Sequence, residues 1–312
     1  MTNPQLILGI DGGGSTTIAW LAPADTAGSS EPLGRGTAGP SNPQSVGWET
    51  ALANLNEAVD AAFADARLPR TPVSSACVAL AGGDRDEARR RLRDWANDSD
   101  LAQNFLPTHD ARALLAAGTP HGTGIALVAG TGSFAFGQTS DARTARAGGW
   151  GFLFGDEGSG YAIAIAAFRA VAAQIDGRGP VTSLSTRIFK RLDITHPDEL
   201  IPAVYPQAAD RWWIALFAEF VLSEARAGDA VAVRIIQQAA DDLASIVEAL
   251  AQKLDWQLHD VPLALGGSLL LHSQELCEAL LQRLFGDSVA DAEVRHVEHP
   301  VAGAVILARN LS

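Results

Sequence analysis

The chain has 312 residues, 47% of them hydrophobic, and a formal net charge of −13, a composition expected of a globular protein long enough for two ordinary domains. The acidic balance argues against nucleic acid and anionic lipid as partners, and no apolar run reaches the roughly 18 residues that would span a bilayer. Two distant cysteines, Cys77 and Cys277, form no CxxC or Cys/His cluster, so a zinc or iron–sulfur site is not expected and a cytoplasmic setting is.

The first predicted element is the apolar run Leu6–Ile10. It lacks a basic flank and ends at Asp11, so it reads as a buried strand rather than a signal peptide. Gly12-Gly13-Gly14-Ser15 follows as a turn, and Thr16–Leu21 is again β-prone. Gly39-Pro40-Ser41-Asn42 is a loop, and Asn42 reads equally as a sugar contact or as the cap of the next helix. From Trp48 to Phe63 the apolar residues Trp48, Leu52, Leu55, Val59 and Phe63 share a helical face. A short strand at Val73–Leu80 closes at Gly82-Gly83-Asp84, and a charged helix over Arg85–Trp95 turns Leu92 and Trp95 inward. Asp110 precedes an Ala-rich helix. On the residues alone, a helix cap is the simpler reading, and a general base for a hydroxyl is the other.

The strand–turn–strand pattern then returns. Gly124–Ala129 is apolar, Gly130-Thr131-Gly132-Ser133 is the turn, and Phe134–Gly137 continues outward. This repetition predicts an internal duplication and two lobes of similar architecture. Strands alternating with helices place both in the α/β class.

The segment Gly148–Gly160 sets two carboxylates, Asp156 and Glu157, among glycines and three aromatics, and Trp150, Phe152 and Phe154 alternate as a strand would. Carboxylates, backbone donors and an aromatic wall suit a sugar pocket better than a plain loop. Helices are predicted at Tyr161–Gln174, Trp212–Ala227, Asp229–Leu254 and Val301–Arg309. A strand over Val261–Leu265 ends in the turn Gly266-Gly267-Ser268, which by itself is an ordinary tight turn. The other tryptophans, Trp212 among them, are expected on core or amphipathic faces.

The only lysines are Lys190 and Lys253, and neither adjoins a glycine cluster, so a P-loop is excluded. Phosphate oxygens would instead meet backbone N–H groups and hydroxyls of the two hairpins, with Asp11 holding Mg²⁺, although each hairpin alone reads equally as an ordinary glycine-rich turn.

These motifs (GIDGGGST, LAGGD, HDA, VAGTGS, GGWGFLFGDEGSGY and LGGSL) occur in an order that resembles the actin-like ATPase superfamily. More narrowly they resemble the BadF/BadG/BcrA/BcrD ATPase family, whose members include N-acetylglucosamine and glucosamine kinases. The resemblance covers essentially the whole chain. It implies two ribonuclease-H-like lobes, residues 1–111 with 299–312 and residues 112–298, with an ATP cleft between them. It implies an ATP- and Mg²⁺-dependent kinase acting on the 6-hydroxyl of an amino sugar, N-acetylglucosamine first among them, with Asp110 as catalytic base. ATP contacts carry over to Gly13, Gly14, Ser15, Thr16, Thr131, Gly132, Ala225, Gly266, Gly267 and Ser268. Sugar contacts carry over to Asn42, Asp110, Ser133, Gly149, Trp150, Gly151 and Asp156. A homodimer is also implied. Phe134 departs from the pattern, standing where N-acetylglucosamine kinases have a polar residue, which leaves glucosamine, N-acetylmuramic acid and a plain hexose open as substrates. A sugar-sensing module without turnover and a sugar-independent ATPase are the readings from other classes.

Overall fold

A computed structural model describes residues 5–25, 31–83 and 85–311; Asp84 of the LAGGD motif lies outside them. The chain divides into two compact units, Met1–Ala126 with Val297–Ser312, and Leu127–His296.

The first unit is built on β1 (Leu6–Gly12), β2 (Thr17–Pro23), β3 (Gly34–Ala38), α1 (Pro43–Asp65), β4 (Val73–Leu80), α2 (Asp86–Asp98), β5 (Ala102–Thr108) and α3 (Asp110–Gly118). The sheet runs β3-β2-β1-β4-β5, antiparallel across β1, β2 and β3 and parallel across β1, β4 and β5. Alternation along β1 sends Leu8 and Ile10 to one face, where Leu55, Val59, Phe63, Leu92 and Trp95 close over them. Ile7 faces the other side, against Cys77, Ala113 and the C-terminal helix, Val301–Arg309. A Cβ on Gly9 would stand 2.5 Å from the Val305 backbone nitrogen, so glycine here lets that helix lie directly on β1. The C-terminal helix thus belongs to the first unit. Both cysteines are free and buried, and burial pushes the Cys77 thiol up to about 12.

The division falls within β6 (Gly124–Ala129), whose sheet belongs to the second unit with β7 (Ser133–Gln138), β8 (Thr144–Gly148), α4 (Gly160–Ile175), α5 (Leu184–Leu192), α6 (Leu200–Val204), α7 (Arg211–Ala215), α8 (Ala218–Arg226), α9 (Ala230–Lys253), β9 (Leu263–Gly266), α10 (Ser268–His272), α11 (Gln274–Phe285) and β10 (Val294–His296). Its sheet order, β10-β9-β6-β7-β8, repeats that of the first: the leading strand is central, the next two extend one side, and the last two extend the other. The duplication read from the two Gly-Ser/Thr turns is therefore a duplication of whole sheets.

Two sequence expectations change here. The single helix expected over Trp212–Ala227 is two, α7 and α8. The break lets Phe217 enter a cluster with Phe168, Trp213 and Phe220. Trp212, expected inward, is 55% exposed, because burying Ile214 and Phe217 turns that side of α7 outward.

Candidate functional site

In the first unit, the β1–β2 turn is closed by Gly13 N–H donating to the Thr16 carbonyl at 3.0 Å. The Gly13 carbonyl accepts N–H groups from Ser41 and Asn42, both at 3.1 Å, so the Gly39–Asn42 loop is fastened to the turn. The Thr17 hydroxyl donates to the Gly39 carbonyl at 2.7 Å and lies 2.8 Å from the Ser41 hydroxyl. Gly12 is required beneath them, since a Cβ there would stand 2.4 Å from Ser41 Oγ. Gly14, Ser15 and Thr16 are exposed at the tip, with their N–H groups and hydroxyls available to a ligand.

Asn42 caps α1, its Oδ1 accepting the Gln44 N–H at 3.0 Å. Its NH₂ makes no hydrogen bond among the described residues and can still donate. Asp110 is the first helical residue of α3 rather than its cap, which is His109. The chain is extended at His109, and the Asp110 carboxylate accepts the Ala111 N–H at 2.9 Å. A carboxylate in the first helical turn is favoured by the helix dipole. Burial pushes Asp11 up to about 7, and the charge of Asp110 adds to the shift. The unit therefore gathers three candidate residues, Asp11, Asn42 and Asp110, that lie far apart in sequence.

In the second unit, Gly130 N–H closes the β6–β7 turn on the Gly132 carbonyl at 2.9 Å, and Gly160 N–H donates to the Gly130 carbonyl at 2.8 Å. The start of α4 is thereby docked on the turn. The Gly266–Ser268 turn lies against the same place. Gly267 has φ +90°, and a Cβ on it would stand 2.3 Å from the Ala129 carbonyl oxygen. The two glycine turns assigned to ATP are therefore neighbours. Ala225 lies near the end of α8, where Arg226 is tied to Glu275 of α11 at 2.5 Å.

The strand expected through Trp150, Phe152 and Phe154 does not form. Positive φ at Gly148, Gly149, Gly151, Asp156 and Gly158 curls the segment into successive turns, closed by Phe154 and Gly155 N–H groups on the Gly151 carbonyl at 3.2 and 2.8 Å. Alternating aromatics imitate a strand, but left-handed backbone cannot continue one. Trp150 and Phe154 are instead 73% and 80% exposed. The Asp156 carboxylate is buried under the turn of Gly132. It accepts the Ser133 N–H at 3.3 Å, with Arg211 3.9 Å away. Burial raises its pKa, the Ser133 N–H and Arg211 oppose this, and Glu157 adds to it. The Ser133 hydroxyl is buried and donates to the Glu157 carbonyl at 2.6 Å, so it fastens the loop from within. Gly149 N–H donates to the Ser133 carbonyl at 3.0 Å, and the Gly149 carbonyl accepts from Arg146 at 2.6 Å. Phe134 pairs with Gly148 across β7 and β8.

Sequence reasoning passed over Ser41 and Arg211. Ser41 sits inside a motif read for its neighbour Asn42. Arg211 is 55 residues from Asp156 and carries no spacing signal.

The two sheets carry the fold of actin-like ATPases and sugar kinases. The sequence matches the BadF/BadG/BcrA/BcrD ATPase family over residues 8–308, and the chain belongs to that family. It is 30% identical over 307 residues to the N-acetylmuramic acid/N-acetylglucosamine kinase of Clostridium acetobutylicum, covering 98% of this chain and 99% of that protein. It is 29% identical to the N-acetyl-D-glucosamine kinase of Dictyostelium discoideum, covering 98% of each. The crystal structure of a candidate N-acetylglucosamine kinase from Chromobacterium violaceum superposes with a TM-score of 0.76 at 25% identity, covering 97% of this chain and 99% of that one.

Proposed function

We propose that the chain transfers the γ-phosphoryl group of ATP to an amino sugar, N-acetylglucosamine at its 6-hydroxyl. The observation that carries this reading is likeness along nearly the whole chain to two relatives, both named as N-acetylglucosamine kinases. The name of the first also supports N-acetylmuramic acid as a second substrate.

Asp110 is the proposed base. Its carboxylate takes the proton of the attacking hydroxyl while the oxygen forms its bond to phosphorus and ADP leaves. Asn42 and Asp156 are the proposed sugar contacts, with Gly149, Trp150 and Gly151 beside Asp156. N–H groups and hydroxyls at Gly13–Thr16, Thr131 and Gly132 would meet phosphate oxygens, and Ala225 with Gly266–Ser268 would take the adenosine. Mg²⁺ fits at Asp11. A carboxyl whose burial and acidic neighbour both raise its pKa gains from a nearby cation, and Mg²⁺ uses one or two carboxylates plus substrate phosphates rather than a protein cage. When bound it would neutralise charge on the phosphates. Among the described residues no three His, Cys, Asp or Glu gather as a metal cluster, and no helix is long and apolar enough to cross a membrane. A cytoplasmic homodimer belongs to the same proposal; light scattering tests the assembly.

The deciding experiment is ADP release with N-acetylglucosamine, N-acetylmuramic acid, glucosamine, glucose or no sugar. The proposal expects release to depend on an N-acetylated amino sugar. Equal release without sugar supports the ATPase reading. Sugar binding with no release supports the sensing module.

A further inference from the structure

The turn containing Asp156 holds its carboxylate under burial with a single backbone donor, the Ser133 N–H at 3.3 Å. Arg211 opens α7, a position fixed by its neighbour Asp210, whose side chain caps the helix on the Trp213 N–H at 3.0 Å. Its guanidinium does two things at once. A nitrogen lies 3.9 Å from Asp156 Oδ2, and its central carbon lies 5.5 Å from the centre of the Phe152 ring. Phe152 in turn meets Tyr161 of α4 edge-on, with ring centres 5.4 Å apart. The Asp156 side chain is 8% exposed and that of Arg211 35%.

We propose that Arg211 is the positioning residue of the sugar side of the second unit, holding the Asp156 carboxylate and the Phe152 ring in one arrangement. This rests on the reading that Asp156 accepts a hydroxyl of the sugar.

The chemistry follows from the guanidinium's shape. A planar delocalised cation can present its edge to a carboxylate while its face covers a ring, and a compact ammonium cannot do both. Asp156 needs a cation because burial favours its neutral form and Glu157 pushes the same way. A protonated carboxyl would be a poorer acceptor for a sugar hydroxyl. Phe152 belongs to the run of turns that also carries Trp150 and Gly151. Fixing its ring therefore fixes the wall against which a sugar would lie. Arg211 need not touch the sugar; it acts through the two groups that line the site.

The test is steady-state kinetics of Arg211→Met, Arg211→Lys, Asp156→Asn and the double variant Arg211→Met/Asp156→Asn, with melting curves for each. Arg211→Met should raise the KM for N-acetylglucosamine by about 10- to 100-fold, with the KM for ATP within about twofold. Arg211→Lys should recover part of that loss, and the double variant should be little worse than Asp156→Asn alone. If Arg211→Met does not fold, Arg211→Lys carries the comparison, with the same split between the two KM values expected. Unchanged KM for the sugar, equal losses toward both substrates, or additive effects in the double variant would each overturn the inference while leaving the kinase reading in place. A wild-type enzyme that phosphorylates no amino sugar would overturn that reading and this one with it.

Discussion

Replacing Gly132 by alanine tests whether the buried carboxylate under the second turn is part of the sugar site. An ideal Cβ at this position lies 2.9 Å from Asp156 Oδ1 and 3.0 Å from both Cγ and Oδ2, against an ordinary contact of 3.4 Å or more. The carboxylate must therefore retreat by about half an ångström. It has little room to do so, because Asp156 already has φ +59° and the next carbonyl, that of Glu157, is held by the Ser133 hydroxyl at 2.6 Å. The Ser133 N–H to Asp156 bond is 3.3 Å long before any displacement and would be lost. A hydrogen bond to a charged group is worth about 1.5–3 kcal/mol. At 1.4 kcal/mol per factor of ten, the expected loss in sugar affinity is roughly 10- to 150-fold. Calorimetric titration with N-acetylglucosamine, without nucleotide, reads this directly, and kcat/KM should fall in parallel. A variant that melts like the wild type yet binds sugar within twofold of it would refute the placement of Asp156 in the site.

Asp110→Asn should keep binding of ATP and sugar and lose about 10² to 10⁴ in kcat; near-normal turnover would remove Asp110 from the role of base. Asp229 caps α9 and ties it to the start of α5. Burial pushes its carboxyl up, but hydrogen bonds from the Ala232 and Ser183 N–H groups and the Thr182 and Ser183 hydroxyls outweigh this and hold it at about 2, against an ordinary 3.8. Because the folded value is the lower one, the stabilisation is present above pH 3.8 and is lost as pH falls toward 2. The shift corresponds to about 2 kcal/mol. Asp229→Ala should therefore lower stability at pH 7 by roughly that amount and by much less near pH 2, as followed by denaturant titration. Gly303→Ala would bring a Cβ within 1.8 Å of the Ala113 carbonyl oxygen. Overpacking of this kind costs about 1–3 kcal/mol or more, seen as a melting point lower by roughly 2–5 °C.

Legibility in the sequence followed how local the determining physics was. The strands Val73–Leu80 and Gly124–Ala129 and the helix Val301–Arg309 stand in the structure with the bounds read from sequence, since each is a largely apolar run bounded by turn-forming Pro, Gly or Asn. The loop after β8 failed, because alternation of Trp150, Phe152 and Phe154 is a side-chain pattern while the outcome was set by left-handed backbone at the glycines between them. The break between α7 and α8 also escaped. It depends on where Phe217 finds its aromatic partners, and Phe168 is far away in sequence. The turns at Gly12–Thr16 and Gly130–Ser133 were legible from their glycine chemistry. Arg211 was not. An arginine at the start of a short helix is ordinary until the fold lays it beside Asp156 and Phe152.

The repeated sheet gives the two turns different electrostatic circumstances, and this bears on what each can bind. Beneath the first turn lie hydroxyls, those of Thr17 and Ser41. Burial and the charge of Asp110 both act on Asp11 in the same direction, raising it to about 7. A carboxyl in that position gains as an anion from a nearby cation. Beneath the second turn lies Asp156, where burial also raises the carboxyl but Arg211 and the Ser133 N–H push back. One strand–turn–strand design, copied, thus covers a carboxyl raised by burial and by an acidic neighbour in the first unit, and one whose burial is opposed by an arginine and a backbone donor in the second. The difference comes from which charged side chain each turn covers.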